Sequence, residues 1–226
     1  MPTTDSTSSD KNFELKKTSS FSTMPVLVWI LVFLLIIARI FIFQPVEVNG
    51  NSMLPTTHNG ARWIVEEISP KINPKYQRGQ IIVYCAETKN CDKDNVLARF
   101  SLTYYIKRVV GLPGESIEIK RSKTIIYNTE YPEGVVLSED YVSPAVKTGL
   151  DSTTQFDRPL KKIPEGTYYI MGDNRVDSSD SRDFGPVSEK GLLGKVWVQF
   201  WPLQEADSFQ LPKYKYTPYI PANITN

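Results

Sequence analysis

The apolar residues of this chain gather first into one long block and then into many short runs. Residues 26–43, VLVWILVFLLIIARIFIF, carry 17 apolar residues and one charge, Arg39. At about 1.5 Å per residue, a helix over this run reaches about 27 Å, close to the hydrocarbon thickness of a bilayer. Arg39 falls one turn from the far end, where a long side chain snorkels to the headgroups. The pattern predicts a single transmembrane anchor over residues 25–43. A cleaved secretory signal competes with it, because the apolar core is uninterrupted for 13 residues and Lys16 and Lys17 precede it. No small-x-small site follows, however. Residues 40–45 are the bulky IFIFQP, which favours an uncleaved anchor.

Beyond residue 44 the pattern changes. Short β-branched and aromatic runs occur at 62–68, 79–84, 104–112, 116–120, 124–129, 167–171 and 196–201, most of them separated by Gly, Pro, Asn or Asp. No long 3.6-residue period competes outside the anchor. A mainly β domain over residues 44–211 is therefore expected behind the N-terminal helix. Residues 138–164 read as a polar loop, and residues 212–226 as a Tyr/Pro-rich tail without period. At the other end, residues 1–24 are rich in Ser and Thr and poor in large apolar residues, so a disordered tail is expected. Lys11, Lys16 and Lys17 lie on the amino side of the anchor, and no Lys or Arg follows it until Arg62. The positive-inside rule then puts the N-terminus in the cytoplasm and residues 44–226 outside.

Charge narrows the partners. With 26 basic and 25 acidic residues there is no basic stripe for nucleic acid. Two cysteines, Cys85 and Cys91, are too few for a disulfide framework. A small-loop disulfide and two unpaired thiols both remain open. One histidine and two cysteines at this separation match no common zinc spacing, so no metal is expected.

Three segments carry candidate chemistry. Ser52 lies in NGNSMLPTT, nine residues past Phe43, with Gly50 allowing an unusual torsion beside it and Pro55 stiffening the exit. Taken alone it reads as a turn residue, because a serine hydroxyl is a poor nucleophile until a base removes its proton. His58, the only histidine, stands beside Asn59-Gly60 in what reads as an exposed turn. Lysine is the other base available. A free lysine has a pKa of about 10.4, and burial must remove about 2.7–4 kcal/mol of ammonium stabilisation to make it a base near neutral pH. In YYIKRVVGLPGE, strand alternation groups Tyr105, Lys107 and Val109 on one face and Ile106, Arg108 and Val110 on the other. That frees Lys107 of charged neighbours at i±2, although a strand-edge lysine that deters aggregation fits the spacing equally well. The third segment, GDNRVDSSDSRDFGPV at 172–187, opens on a turn signal at Gly172, Asp173 and Asn174. Its Asp173, Arg175, Asp180 and Arg182 suit either an ion network with Arg108 or a solvated loop.

Read jointly, these segments resemble the type I signal peptidases, membrane-bound Ser/Lys proteases of bacteria. NSMLPT at 51–56 resembles the nucleophile box and YIKRVVGLPGE at 105–115 the lysine box. MGDNRVDSSDSRDFGPV at 171–187 is similar to a third box, GQIIVY at 79–84 is a looser match, and GKVWVQFWP at 194–202 resembles the strand that follows. The boxes occur in the family's order between about residue 25 and residue 202. The resemblance implies a β-rich signal-peptidase-like catalytic domain with Ser52 as nucleophile and Lys107 as general base. It implies that the Ser178 hydroxyl orients the lysine amine, and that Asp173 with Arg108 and Asp180 with Arg182 form structural ion pairs. It further implies no cofactor, membrane lipid as surroundings, and exported preproteins as substrates, cleaved after a small-x-small motif. Shallow pockets lined by the strand before Ser52 and by residues 79–84 would admit only small side chains, while Trp63 or Trp201 would dip into the membrane interface.

Two positions depart from the pattern. Gly50 stands where some members carry a hydroxyl that helps bind the oxyanion, which leaves the Ser52 N–H and a neighbouring amide. Gln80 stands where the family usually has Asp. Alternative readings are a specialised peptidase of the same superfamily, such as a conjugation or pilus processing enzyme, or a tethered β-rich scaffold without activity. A cytoplasmic self-cleaving repressor shares the Ser/Lys chemistry but needs a DNA-binding domain and no anchor.

Overall fold

A computed structural model describes residues 26–41, 43–72, 75–85, 104–142 and 157–220. The expected disordered tail, residue Cys91, and much of the 138–164 segment lie outside the described residues. The chain divides after Ile36 into two compact units. The apolar run forms helix α1 (Val26–Phe41), which continues across that division. Along its first ten residues the side chains stand open, with Leu27 75%, Trp29 63% and Phe33 61% exposed. Pro45 disfavours helical geometry at Gln44. Phe43, read from sequence as the end of the apolar run, is instead the first residue of strand β1 (Phe43–Glu47). At 16 residues, α1 is shorter than the run that predicts it, and no described helix is long and apolar enough to cross a membrane.

The second unit is built of antiparallel strands. After β1 come β2 (Arg62–Glu66), the single-turn helix α2 (Ile68–Ile72), β3 (Ile81–Cys85) and β4 (Tyr104–Gly111). Next are β5 (Ser116–Lys120), β6 (Lys123–Tyr127), β7 (Val135–Leu137), β8 (Arg158–Lys162) and β9 (Thr167–Met171). The chain continues with α3 (Ser181–Phe184), β10 (Val187–Ser188), β11 (Leu192–Trp201), β12 (Asp207–Ser208) and β13 (Tyr216–Pro218). One sheet runs β1-β2-β11-β3-β4-β9-β10, with β12 also on β11, and the second runs β13-β7-β6-β5-β8. The mainly β expectation therefore holds as two antiparallel sheets.

Three buried clusters hold the strands together. Every residue of β3 is buried, because Ile81 and Val83 face one cluster with Trp63, Val65 and Ile106 while Ile82 and Tyr84 face another with Tyr168 and Ile170. The third cluster joins the sheets, packing Val110, Tyr169 and Met171 against Ile117, Ile126 and Val135. Gly111 makes the close approach possible, since a Cβ there would run into Ile163 and Tyr169.

Where the strands differ from the sequence reading, the causes are local. The 62–68 run stops at Glu66, whose carboxylate accepts the Ser69 N–H at 2.6 Å and turns the chain into α2. β8, RPLKK, lies inside the expected polar loop as an edge strand, where Pro and Lys are tolerated and deter further pairing. The C-terminal tail returns as a strand, with Tyr216 opposite Leu137 and Pro218 opposite Val135.

Candidate active site

Met53 fixes the position of its neighbour Ser52. It is fully buried among Val48, Ala61, Trp63 and Val83, and full burial of such a side chain is worth about 1.5–3 kcal/mol. Asn51 on one side is exposed, so Ser52 is held half-buried at the rim of a short turn. Gly50 adopts a φ of 96°, a left-handed backbone suited to glycine, and its N–H donates to Asn59 Oδ1 at 2.9 Å. The Ser52 carbonyl accepts the Asn174 N–H at 3.0 Å, and the Asn51 carbonyl accepts Asn174 Nδ2 at 3.2 Å. The Ser52 N–H has no acceptor among the described residues.

Strand β4 brings Lys107 to this turn from the side. Its Nζ donates to Ser52 Oγ at 2.7 Å and to the Ile106 carbonyl at 3.1 Å. Only 2% of Lys107 is exposed. Burial lowers its pKa to about 8, with Asp180 and Asp173 opposing the shift and Arg182 reinforcing it. Withholding solvent from the ammonium outweighs two carboxylates because neither touches the amine. Such an amine is neutral in a useful fraction of molecules near neutral pH, and it lies within proton-transfer reach of a hydroxyl.

The next residue, Arg108, points into a different environment. Its Nε and one terminal nitrogen donate to Asp173 at 2.8 and 2.6 Å, and the other terminal nitrogen donates to the Gly79 carbonyl at 2.7 Å. Thr56 Oγ1 bonds both Arg108 and Asp173. Although burial alone lowers the Arg108 pKa, Asp173 carries it upward. Asp180 and Arg182 form a second two-point pair at 2.8 Å, and Asp180 also accepts the Gly172 N–H at 2.9 Å and caps α3. Burial works to raise the Asp180 pKa, yet the Arg182 contacts and the Gly172 N–H hold it below the ordinary value.

The other candidate residues lie apart from the Ser52–Lys107 contact. Ser178 Oγ donates to Asp180 at 2.8 Å and is not among the acceptors of the Lys107 amine. His58 lies away from the serine, with Nδ1 3.2 Å from Glu205 on the exposed surface. Gln80 Oε1 accepts the Gln77 N–H at 2.9 Å, closing the turn before β3, a task the family's carboxylate can also perform. Arg175 does not join Asp173 or Asp180 but binds Glu139, which the sequence reading left in a loop. Gly172 has a further role that the sequence did not show: a Cβ there would collide with Ser178 and come within 2.5 Å of the Ser52 carbonyl. Cys85 is buried at the end of β3, and its pairing with Cys91 falls outside the described residues. Among the described residues, no group of three or more His, Cys, Asp and Glu is arranged to hold a metal ion.

Two cavities lie near these residues. One of about 30 Å³ is bounded by Val46, Val48, Val83 and Tyr104 together with the polar Glu47, Asn49, Ser52 and Lys107, and its size suits a small side chain beside the serine. The other, about 600 Å³, touches Thr56, Arg108 and Tyr141 but neither Ser52 nor Lys107. Size does not mark the reactive pocket here; the short Ser–Lys contact does.

Known proteins share this arrangement of sequence. The Signal peptidase, peptidase S26 family matches residues 21–201. Signal peptidase I T of Bacillus subtilis (strain 168) is 34% identical over 206 residues, covering 87% of this chain and 96% of that protein. Signal peptidase IB of Staphylococcus aureus (strain MRSA252) is 33% identical over 195 residues, covering 82% and 88%. A solved signal peptidase I from Enterococcus faecalis V583 aligns at 31% identity with a TM-score of 0.39, over 54% of this chain and 96% of that one. With a family match over most of its length and relatives this similar, the chain belongs to the S26 signal peptidases, serine endopeptidases that remove signal peptides from preproteins.

Proposed function

We propose that Ser52 is the nucleophile and Lys107 the general base of this peptidase. The observation that carries the assignment is the 2.7 Å hydrogen bond from a buried, low-pKa lysine to a serine hydroxyl at a pocket rim. In its neutral form Lys107 takes the hydroxyl proton as Ser52 attacks the scissile carbonyl. It then gives that proton to the leaving amine and activates the water that releases the acyl-enzyme. The Ser52 N–H, without an acceptor of its own, is the donor available to the oxyanion. With Gly50 supplying no hydroxyl, that single amide carries more of the stabilisation, and loss of one such donor costs about 10²–10³ in rate. Arg108–Asp173 and Arg182–Asp180 hold geometry and transfer no proton.

The same reading places the site at the outer surface of a bacterial plasma membrane. Residues 25–43 act as a single anchor with the N-terminus cytoplasmic, and residues 44–211 form the extracytoplasmic catalytic domain. The support is the apolar run, the exposed side chains of α1 and the lysines on the amino side alone. A signal peptide ends at that plane, so tethering limits the enzyme to exported preproteins, and the cavity walls at Val46, Val48 and Val83 limit it to small residues beside the cut. The test is cleavage of a preprotein by wild type, Ser52→Ala and Lys107→Ala. Both variants should fold and lose processing, and full activity of Lys107→Ala overturns the dyad. Protease added to intact spheroplasts should reach residues 44–226, and protection of that segment overturns the topology.

A further inference from the structure

The second sheet carries none of the reacting groups, yet two side chains just after its strand β7 reach the loop behind the nucleophile. Glu139 is buried and its carboxylate accepts four hydrogen bonds. Two come from the Arg175 guanidinium, one from Thr124 Oγ1 at 2.8 Å and one from Tyr141 Oη at 2.7 Å. Burial opposes the charge on Glu139, but Arg175 outweighs it and keeps the carboxylate ionised. Arg175 in turn donates Nε to the Gly172 carbonyl at 3.0 Å. Tyr141 touches both halves of the support: its hydroxyl bonds Glu139, and its ring lies 4.1 Å from the Arg108 guanidinium, the partner of Asp173. Phe209 flanks Arg108 at 5.7 Å, and the Tyr214 hydroxyl donates to that of Tyr141 at 3.2 Å. Both lie beyond residue 201, where the family match ends.

The loop so gripped is the one whose Asn174 bonds the Ser52 and Asn51 carbonyls. We infer that Glu139 and Tyr141 are positioning residues of the peptidase, setting the 172–175 loop and through Asn174 the height of Ser52 against Lys107. The inference rests on the Ser52/Lys107 reading. The contacts run without a gap: Glu139 to Arg175, Arg175 to Gly172, the adjoining loop to Ser52. Neither residue lines the small pocket beside Ser52, although Tyr141 borders the larger cavity, so the split between kcat and KM separates positioning from substrate binding.

The experiment is steady-state preprotein cleavage across pH for the full chain, with thermal unfolding of each variant. Glu139→Gln should lower kcat about tenfold or more while KM stays within about twofold, since a displacement of the order of 1 Å at reacting atoms costs up to about 10². Tyr141→Phe keeps the ring on Arg108 and removes one bond to Glu139, and should give a smaller loss of the same kind. The rising limb of the kcat profile should move in Glu139→Gln, because the loop carries Asp173 and leads to Asp180 and Arg182, the charges that face Lys107. Ile126→Val, in the same sheet but outside the hydrogen-bonded chain from Glu139 to Ser52, is the control for general destabilisation. If Glu139→Gln and Tyr141→Phe keep wild-type kcat and limb, or lose no more than Ile126→Val at equal melting temperature, the inference fails. Should Glu139→Gln not fold, Tyr141→Phe decides alone. Cleavage by Ser52→Ala would instead overturn the dyad, leaving the two failures distinguishable.

Discussion

Replacing Lys107 with methionine should make the protein more stable at neutral pH and less stable in base. Folding lowers the Lys107 pKa from 10.5 to about 8. At 1.36 kcal/mol per pH unit, the 2.5 between those values corresponds to about 3 kcal/mol of folding free energy spent on keeping the buried ammonium. Below pH 8 both folded and unfolded chains hold the proton, and the penalty is fully present. Between pH 8 and 10.5 the unfolded chain binds more protons, so wild-type stability rises with pH, and above 10.5 the penalty is gone. Methionine has similar length and no charge, but it forfeits the hydrogen bonds to Ser52 and the Ile106 carbonyl. Those are worth about 0.5–1.5 kcal/mol each. Lys107→Met should therefore gain up to about 2 kcal/mol over wild type at pH 7 and lose about 1–3 kcal/mol above pH 10.5, crossing in between. Urea unfolding of both proteins from pH 7 to 11 measures the difference directly. A stability difference that does not change with pH would refute the argument, because it would mean the lysine titrates alike folded and unfolded. The same pKa sets the activity profile: about one tenth of Lys107 is neutral at pH 7, and kcat/KM should rise to a plateau above pH 8. A profile that does not rise through this range would refute the role of Lys107 as base.

Gly172→Ala should lower kcat by about 10² with little change in melting temperature beyond a few degrees, since the new methyl pushes on the Ser52 carbonyl and Ser178; kinetics on the purified variant check this. Asp180→Asn should cost about 3–5 kcal/mol at pH 6 by removing the carboxylate that balances the Arg182 charge. Because the folded pKa of Asp180 lies below 3.8, the stabilisation from its ionised form is present above that value and fades as pH falls through the folded pKa. The deficit should narrow in unfolding curves taken near pH 3.

How much could be read in the sequence depended on the range of each interaction. Strands β3 and β9 are almost wholly apolar or aromatic runs, β4 is such a run interrupted only by Lys107 and Arg108, and all three declare themselves. β8 and β13 do not, being edge strands built from Lys, Arg, Tyr and Pro. At the site, Ser52 and Lys107 were singled out by the joint resemblance of their segments to known boxes, since composition alone left one a turn residue and the other a strand-edge lysine. Glu139 was not, since its partner Arg175 lies 36 residues away and nothing local marks the pairing. The direction of the Ser178 hydroxyl was likewise beyond reach, because spacing fixes where a side chain starts and the neighbouring carboxylate decides where it points.

The return of the tail to β7 has a bearing on when the enzyme becomes competent during its own synthesis. Lys107 and Pro218 are separated by 111 positions. At about 5–20 residues per second, the base is made about 5–20 s before the strand that closes the second sheet and the tyrosine that braces Tyr141. A nascent chain that has both reactive side chains still lacks the outer wall of their support. On the positioning role inferred for Tyr141, synthesis of residues 214–218 sets the moment at which that support is complete.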